Sequence, residues 1–152
     1  GYDVHELTPG RELILGGVKI PFEKGLSGHS DADVLVHAVM DAVLSAAGLP
    51  DRGVLFPVND SSLDGISSMM LLDRVREKTA DYEILNLSAV VMAEKPRLAE
   101  VIPVMRAKIA DKLKIGFDAV NISATTTEKL GIVGEGRGMA ASATVLMRKK
   151  SQ

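Results

Sequence analysis

Asp3 and His5, one residue apart in Asp3-Val4-His5, are the side chains of this chain most able to act together chemically. In a strand, residues i and i+2 share a face, so the carboxylate and the imidazole point the same way. His37, in a helix-like stretch further on, can supply a third ligand. Three protein ligands with a fourth position open make a catalytic zinc site rather than a structural one. Asp-x-His is also short and common, and the same residues read as ordinary polar groups with His37 a satisfied core histidine. Asp33 and Asp41 lie four residues either side of His37, on one helical face. Either can hold the far ring nitrogen as an outer carboxylate, or stand as a solvated helix acid.

Three further segments carry groups suited to phosphate chemistry. Gly28-His29-Ser30-Asp31 precedes a predicted helix, where free N–H groups attract anions, although a plain N-cap has the same look. Thr125-Thr126-Thr127-Glu128-Lys129-Leu130-Gly131 follows a predicted strand. Its hydroxyls, carboxylate and ammonium can bind a diphosphate and its divalent cation, or form a strand end and turn. Ala93-Glu94-Lys95-Pro96-Arg97 closes a long strand, as a rim for a base or phosphate or as a solvated charge cluster. Gly134-Glu135-Gly136-Arg137-Gly138 precedes a strand instead of opening a helix, so it is a turn with one ion pair and not a dinucleotide fingerprint. The methionines, Met69-Met70 included, are packing residues.

The elements that must position these groups follow from periodicity and turn residues. Asp3 to His5 reads as the end of a strand. Leu13–Leu15 and Val18–Ile20 form a hairpin around Gly16-Gly17. Pro21 to His29 is a loop. Ser30 is the expected N-cap, with Asp33 as its acidic partner, of a helix from Asp31 to Ala47 that stops at Gly48. Asp51 to Ser68 is the longest loop, Met69 to Thr79 a second helix, and Ile84 to Met92 a long strand. A third helix spans Leu98 to Leu113 with Pro103 in its early turns; Val120–Ala124 is a strand, Thr125–Gly138 a loop and Met139–Met147 the last strand. The order ββ-α-α-β-α-β-β predicts an α+β fold, a mixed sheet with about three helices on one face. No internal repeat or linker interrupts residues 1–152, which read as a single domain.

Composition narrows the chemistry. At 152 residues, with 46% apolar and 25% charged side chains, the chain can build its own core. A net charge of −2 argues against nucleic acid or an anionic membrane as partner. With no cysteine and three histidines, all in the first quarter, a zinc site can use only His, Asp and Glu. Aromatic content of 3% without Trp leaves no base-stacking platform. No apolar run approaches the roughly 18 residues of a membrane span, and no signal peptide is visible. The first residue is Gly1 rather than Met, so a few native residues are expected before it. The expected location is the cytoplasm, or a plastid if a removed transit peptide preceded Gly1.

Taken together, Gly1-Tyr2-Asp3-Val4-His5, Gly28-His29-Ser30-Asp31-Ala32-Asp33, His37-Ala38-x-x-Asp41-Ala42, Phe56-Pro57 and Thr125 to Gly131 resemble the 2-C-methyl-D-erythritol 2,4-cyclodiphosphate synthase family, in family order from Gly1 to about Lys149. The resemblance implies a homotrimer with active sites between subunits. It implies a metal-dependent phosphorus–oxygen lyase that cyclises 4-diphosphocytidyl-2-C-methyl-D-erythritol 2-phosphate and releases CMP in the non-mevalonate isoprenoid pathway. By resemblance Asp3, His5 and His37 bind zinc, and Glu128 binds Mg²⁺ or Mn²⁺. His29 and Thr126 position and stabilise the reacting phosphates. Asp51 and Gly53 match the erythritol-binding loop, and Asp3, His5, His29, Ser30, Phe56 and Asp60 also contact the substrate. Ala93, Pro96, Arg97, Leu98, Ala99 and Thr125 form the cytidine pocket, and Thr126, Thr127, Glu128, Ile132 and Glu135 complete the substrate contacts. Val58 stands where the family often has an acid, with Asn59 and Asp60 beside it; Arg97 stands where Lys is common; Glu135 and Arg137 reverse the usual order. Rival expectations are a zinc-dependent phosphohydrolase and a non-catalytic trimeric nucleotide-binding protein.

Overall fold

A computed structural model describes residues 1–151. Strand β1 (Tyr2–Pro9) alternates outward and inward side chains and sends Asp3, His5 and Leu7 to one face. Strands β2 (Leu13–Leu15) and β3 (Val18–Ile20) form the expected hairpin, with Gly16 and Gly17 both at positive φ as its tight turn requires. The segment expected as a loop after Pro21 contains strand β4 (Lys24–Leu26), which pairs with the end of β1. Gly25 makes that pairing possible: a Cβ there would stand 2.2 Å from the Glu12 carbonyl oxygen.

Helix α1 (Val34–Ala46) starts at Val34, three residues later than the Asp31 start expected from sequence, and its cap is Asp33, not Ser30. The Asp33 carboxylate accepts from Val36 N at the first turn and from Gly16 N and Gly17 N of the hairpin. Ser30 is held outside the helix because its hydroxyl accepts from Ala32 N, and Ala32 has a φ of 55°. Ten of the helix's residues are buried, so it is apolar nearly all round and runs through the interior. The expected long loop after Asp51 folds into the short helix α2 (Arg52–Leu55) and a 3₁₀ turn at Ser61–Leu63.

Helix α3 (Ser68–Lys78), strand β5 (Tyr82–Met92), helix α4 (Ile102–Leu113) and strand β6 (Val120–Thr125) follow. Helix α4 begins at Ile102 rather than Leu98, which puts Pro103 in the first turn, where its missing N–H leaves no bond unmade. A one-turn helix α5 (Gly131–Gly134) breaks the expected loop before strand β7 (Gly138–Lys149). The five-stranded sheet has the order β4-β1-β7-β5-β6; β5 and β6 are parallel and the other neighbours antiparallel. Leu87, Ala89, Val91, Val120, Ile122, Met139, Ala141 and Ala143 send one face into a single core with α1, α3 and α4. Among the described residues the fold is thus α+β with a mixed sheet, three long helices and two short ones. The other sheet face leaves Tyr2, Val4 and Leu146 exposed. No helix among the described residues is long and apolar enough to cross a membrane.

Candidate active site

Strand β1 and helix α1 bring Asp3, His5 and His37 to one point. Asp3 Oδ2 lies 2.8 Å from His37 Nδ1 and 2.9 Å from His5 Nε2, and the two ring nitrogens are 3.1 Å apart. Among the described residues this is the group of His, Asp and Glu side chains whose atoms converge closely enough to hold a metal ion. Period-two geometry puts Asp3 and His5 on the helix-covered face of the sheet, and α1 passes under it with His37 turned upward.

The electrostatics agree with a cation site. Burial works against charge on Asp3, yet hydrogen bonds to His37 and His5 and the nearby Arg52 guanidinium hold its carboxyl well below the usual carboxylate range. Burial also pulls His5 down, but its hydrogen bond to Asp3, the charge of that carboxylate and the Ser27 carbonyl together outweigh this and hold it above its ordinary value. His37 is more deeply buried, and for it desolvation wins and the value is lowered. His5 Nδ1 faces the Ser27 carbonyl at 2.6 Å and must donate to it, which leaves Nε2 free to act as a lone-pair donor to a metal. Two imidazole nitrogens and a carboxylate oxygen within about 3 Å of one another repel unless a proton or a cation lies between them. This donor set fits a divalent ion.

The three ligands open onto a cavity also lined by Gly28, His29, Ser30, Arg52, Gly53, Phe56, Val58 and Asp60. The structure therefore gathers the expected triad, His29, Ser30, Gly53, Phe56 and Asp60 in one place. Asp51 lies beside it as the N-cap of α2, accepting from Val54 N. Val58 does line the wall and is 70% exposed, while Asp60 offers the nearby carboxylate with Oδ1 already engaged by Ser62 N and Oγ. Asp33 and Asp41 do not support His37 as expected. Asp33 caps the helix, and Asp41 accepts from Arg52 N at 3.0 Å and faces Arg52 Nε at 3.6 Å.

A second cavity lies at the carboxyl ends of the parallel strands β5 and β6. Ala93, Pro96, Arg97, Leu98, Ala99, Thr125 and Thr126 line it. The following turn holds Glu128 and Lys129 at positive φ, 52° and 63°. Thr126 Oγ1 donates to Glu128 Oε1 at 3.1 Å, and Thr127 is engaged within the turn through its Oγ1 bond to the Leu130 carbonyl. Registers give the spacing between the two cavities: Val4 pairs with Ala140, Ala140 with Met92, and Met92 with Thr125. Thr125 therefore stands three strand spacings from the Asp3–His5–His37 triad, about 14 Å along the sheet. Ile132 lies elsewhere, in a groove with Val4 and Arg137, and Glu135 is paired with Arg137 at 2.7 Å.

Four residues at these sites escaped sequence reasoning. Arg52 reaches Asp3 Oδ1 at 3.5 Å. Ser68 Oγ contacts the back of the His37 ring at 2.9 Å, and Asp31 holds Ser68 from behind. Glu94 Oε1 accepts from Thr127 N at 3.0 Å and Lys129 N at 3.4 Å, which braces the turn carrying Glu128. Asp31 and Glu94 fall inside segments already singled out but had no role there, Arg52 and Ser68 fall in none, and each acts only because distant segments meet.

Comparison with known proteins places this geometry among relatives. The YgbB family profile matches residues 1–148. The chain is similar to the 2-C-methyl-D-erythritol 2,4-cyclodiphosphate synthase of Desulforamulus reducens, 54% identical over 151 residues, which covers 98% of this chain and 96% of the relative. Its fold is similar to the bifunctional IspDF from Campylobacter jejuni, with a TM-score of 0.95, 40% identity, and coverage of 99% of this chain and 42% of that one. It is also similar to a CDP complex of Plasmodium falciparum IspF, with a TM-score of 0.86, 31% identity, and coverage of 99% and 94%.

Proposed function

The chain belongs to the YgbB family, and on that premise we propose that it converts 4-diphosphocytidyl-2-C-methyl-D-erythritol 2-phosphate to 2-C-methyl-D-erythritol 2,4-cyclodiphosphate with release of CMP, a lyase step of non-mevalonate isoprenoid synthesis. An oxygen of the substrate's 2-phosphate bonds to the β-phosphorus, the bond from that phosphorus to the CMP oxygen breaks, and CMP leaves with the electron pair. The nucleophile belongs to the substrate, so the protein's work is to bring anionic groups together in line. Asp3, His5 and His37 would hold zinc, and Glu128 would hold Mg²⁺ or Mn²⁺. What the two cations supply when bound is neutralisation of the phosphate charges.

The chain's own groups do the rest. His29 and Ser30, at the rim of the first cavity, orient the 2-phosphate, and Gly53, Phe56, Asp60 and the adjoining Asp51 seat the erythritol. Ala93, Pro96, Arg97, Leu98, Ala99 and Thr125 hold the cytidine, with Thr126 and Thr127 on the diphosphate and Thr126 fixed toward Glu128. Ile132 and Glu135 complete the substrate contacts. The two half-sites are separated within one chain and one sheet face is uncovered, which supports a homotrimer whose active sites join the first cavity of one subunit to the second of its neighbour. A cytoplasmic location suits a substrate of this charge.

The observation that carries this reading is the convergence of Asp3 Oδ2, His5 Nε2 and His37 Nδ1 at the mouth of a cavity that also holds His29. Asp3, His37 and Ser68 line up like a hydrolase triad, but Ser68 is fully buried and cannot meet a substrate. Turnover in ¹⁸O-enriched water decides the reaction type. Cyclisation yields an unlabelled cyclic product, whereas solvent label in the phosphate product would establish a phosphohydrolase instead.

A further inference from the structure

We infer that Asp31 and Ser68 are positioning residues of the metal centre: together they keep the His37 proton on Nε2 and turn the Nδ1 lone pair toward the point shared by Asp3 and His5. Ser68 Oγ lies 2.5 Å from Asp31 Oδ1 and 2.9 Å from His37 Nε2. A hydroxyl carries one proton. The Asp31 carboxylate also accepts from Ser68 N at 2.9 Å and Asp33 N at 3.2 Å, so its oxygens act as acceptors throughout and the Ser68 proton goes to it. Ser68 Oγ then presents only lone pairs to His37. Its contact with Nε2 is a hydrogen bond only when Nε2 bears the proton, and Ser30 Oγ at 3.2 Å offers the same nitrogen a second acceptor.

The opposite tautomer would press two lone pairs together at 2.9 Å, a contact with no room for a molecule between them, where Ser68 is 0% and His37 4% exposed. With Nε2 protonated, the lone pair sits on Nδ1, the atom that faces Asp3 Oδ2 and His5 Nε2, and a cation at the shared point removes the repulsion among the three. The same connection reaches the phosphate-facing segment. Asp31 N donates to the Ile66 carbonyl at 3.2 Å, and Gly65 N to the His29 carbonyl at 2.9 Å. Ser68 opens α3 directly after the loop that lines the cavity. One strut therefore sets both the ligand orientation of His37 and the position of His29.

The inference rests on the zinc reading of the triad, and the experiment separates the two. Zinc is titrated into the metal-free full chain against a chromophoric chelator for the wild type, Ser68→Ala, Asp31→Asn and Ser67→Ala, and the His37 ring nitrogens are assigned by ¹⁵N NMR in the zinc-loaded chain. Ser67→Ala is the control: its hydroxyl accepts from Met69 N at 3.3 Å to cap α3, and it bonds to none of the ligands. The expected result is a zinc Kd raised about 10–100-fold in Ser68→Ala and Asp31→Asn and within about threefold of wild type in Ser67→Ala. In the wild type the proton is expected on His37 Nε2. An unchanged Kd in Ser68→Ala, an equal loss in Ser67→Ala, or a wild-type proton on Nδ1 overturns the strut. If the variants do not fold, the wild-type tautomer alone decides. A wild type that binds no zinc overturns the zinc reading and the metal role of Asp31 and Ser68 with it.

Discussion

Asp33 shows how much a single carboxylate can carry in this fold. It is fully buried, yet it accepts three backbone N–H groups, from Gly17 at 2.7 Å and from Gly16 and Val36 at 3.0 Å. Asp33→Ala would strand all three and remove the cap of α1. Urea unfolding should show a loss of about 3 kcal/mol, the sum expected from a lost cap and buried unpaired donors. Burial pushes the Asp33 carboxyl up to about 7, against the pull of the same N–H groups. Its folded value is thus raised above the unfolded 3.8, so its contribution is complete below that value and lost as pH rises through about 7. The stability difference between the wild type and Asp33→Asn should therefore shift against the wild type as pH rises from about 4 to about 7. A difference that is flat with pH, or that moves the other way, would show that the N–H groups outweigh burial. By its spacing Asp33 is a candidate helper of His37; its work as cap and hairpin anchor is visible only where Gly16 and Gly17 fold onto it.

At the scale of elements, the turn between β6 and α5 is where conformational strain and function meet. Glu128 and Lys129 both adopt left-handed backbone conformations that cost non-glycine residues of order 1 kcal/mol each. The Glu94 carboxylate offsets part of that cost by accepting from Thr127 N and Lys129 N. Glu94→Ala should let the turn relax and lower kcat roughly tenfold, because Glu128 and Thr126 lose their fixed aim. Glu94→Gln keeps an acceptor oxygen and should stay near wild type. Steady-state kinetics with thermal melts of both variants test this; equal kcat in Glu94→Ala and the wild type would leave Glu94 as a surface charge only. Sequence periodicity located β5, β6 and the long helices to within a few residues. It missed β4, α2 and α5, because three- and four-residue elements are too short to show a period and exist only where β1, α1 or β7 gives them a partner.

At the scale of the whole molecule, the separation of the triad from the Thr126–Glu128 turn becomes a prediction about assembly. His37→Ala removes one half-site and Glu128→Ala the other, and each alone should abolish turnover. Mixed, unfolded and reassembled together at equal amounts, the two inactive chains should recover about a quarter of wild-type activity if each site draws one half from each of two neighbours. A mixture that stays inactive would place both halves in a single chain. The residues able to do this chemistry were legible in the sequence because motif spacing and helix and strand periods are local properties: Asp3-x-His5, the Gly-Gly hairpin and the Thr126-x-Glu128 turn all appear where they were expected. Only the tertiary structure decided what stands behind them. Ser68 at the back of His37, Asp31 behind Ser68, Glu94 under the turn and Arg52 against Asp3 bring together parts of the chain far apart in sequence, and such contacts are set by the packing of α1 and α3 against the sheet, which leaves no local period to read.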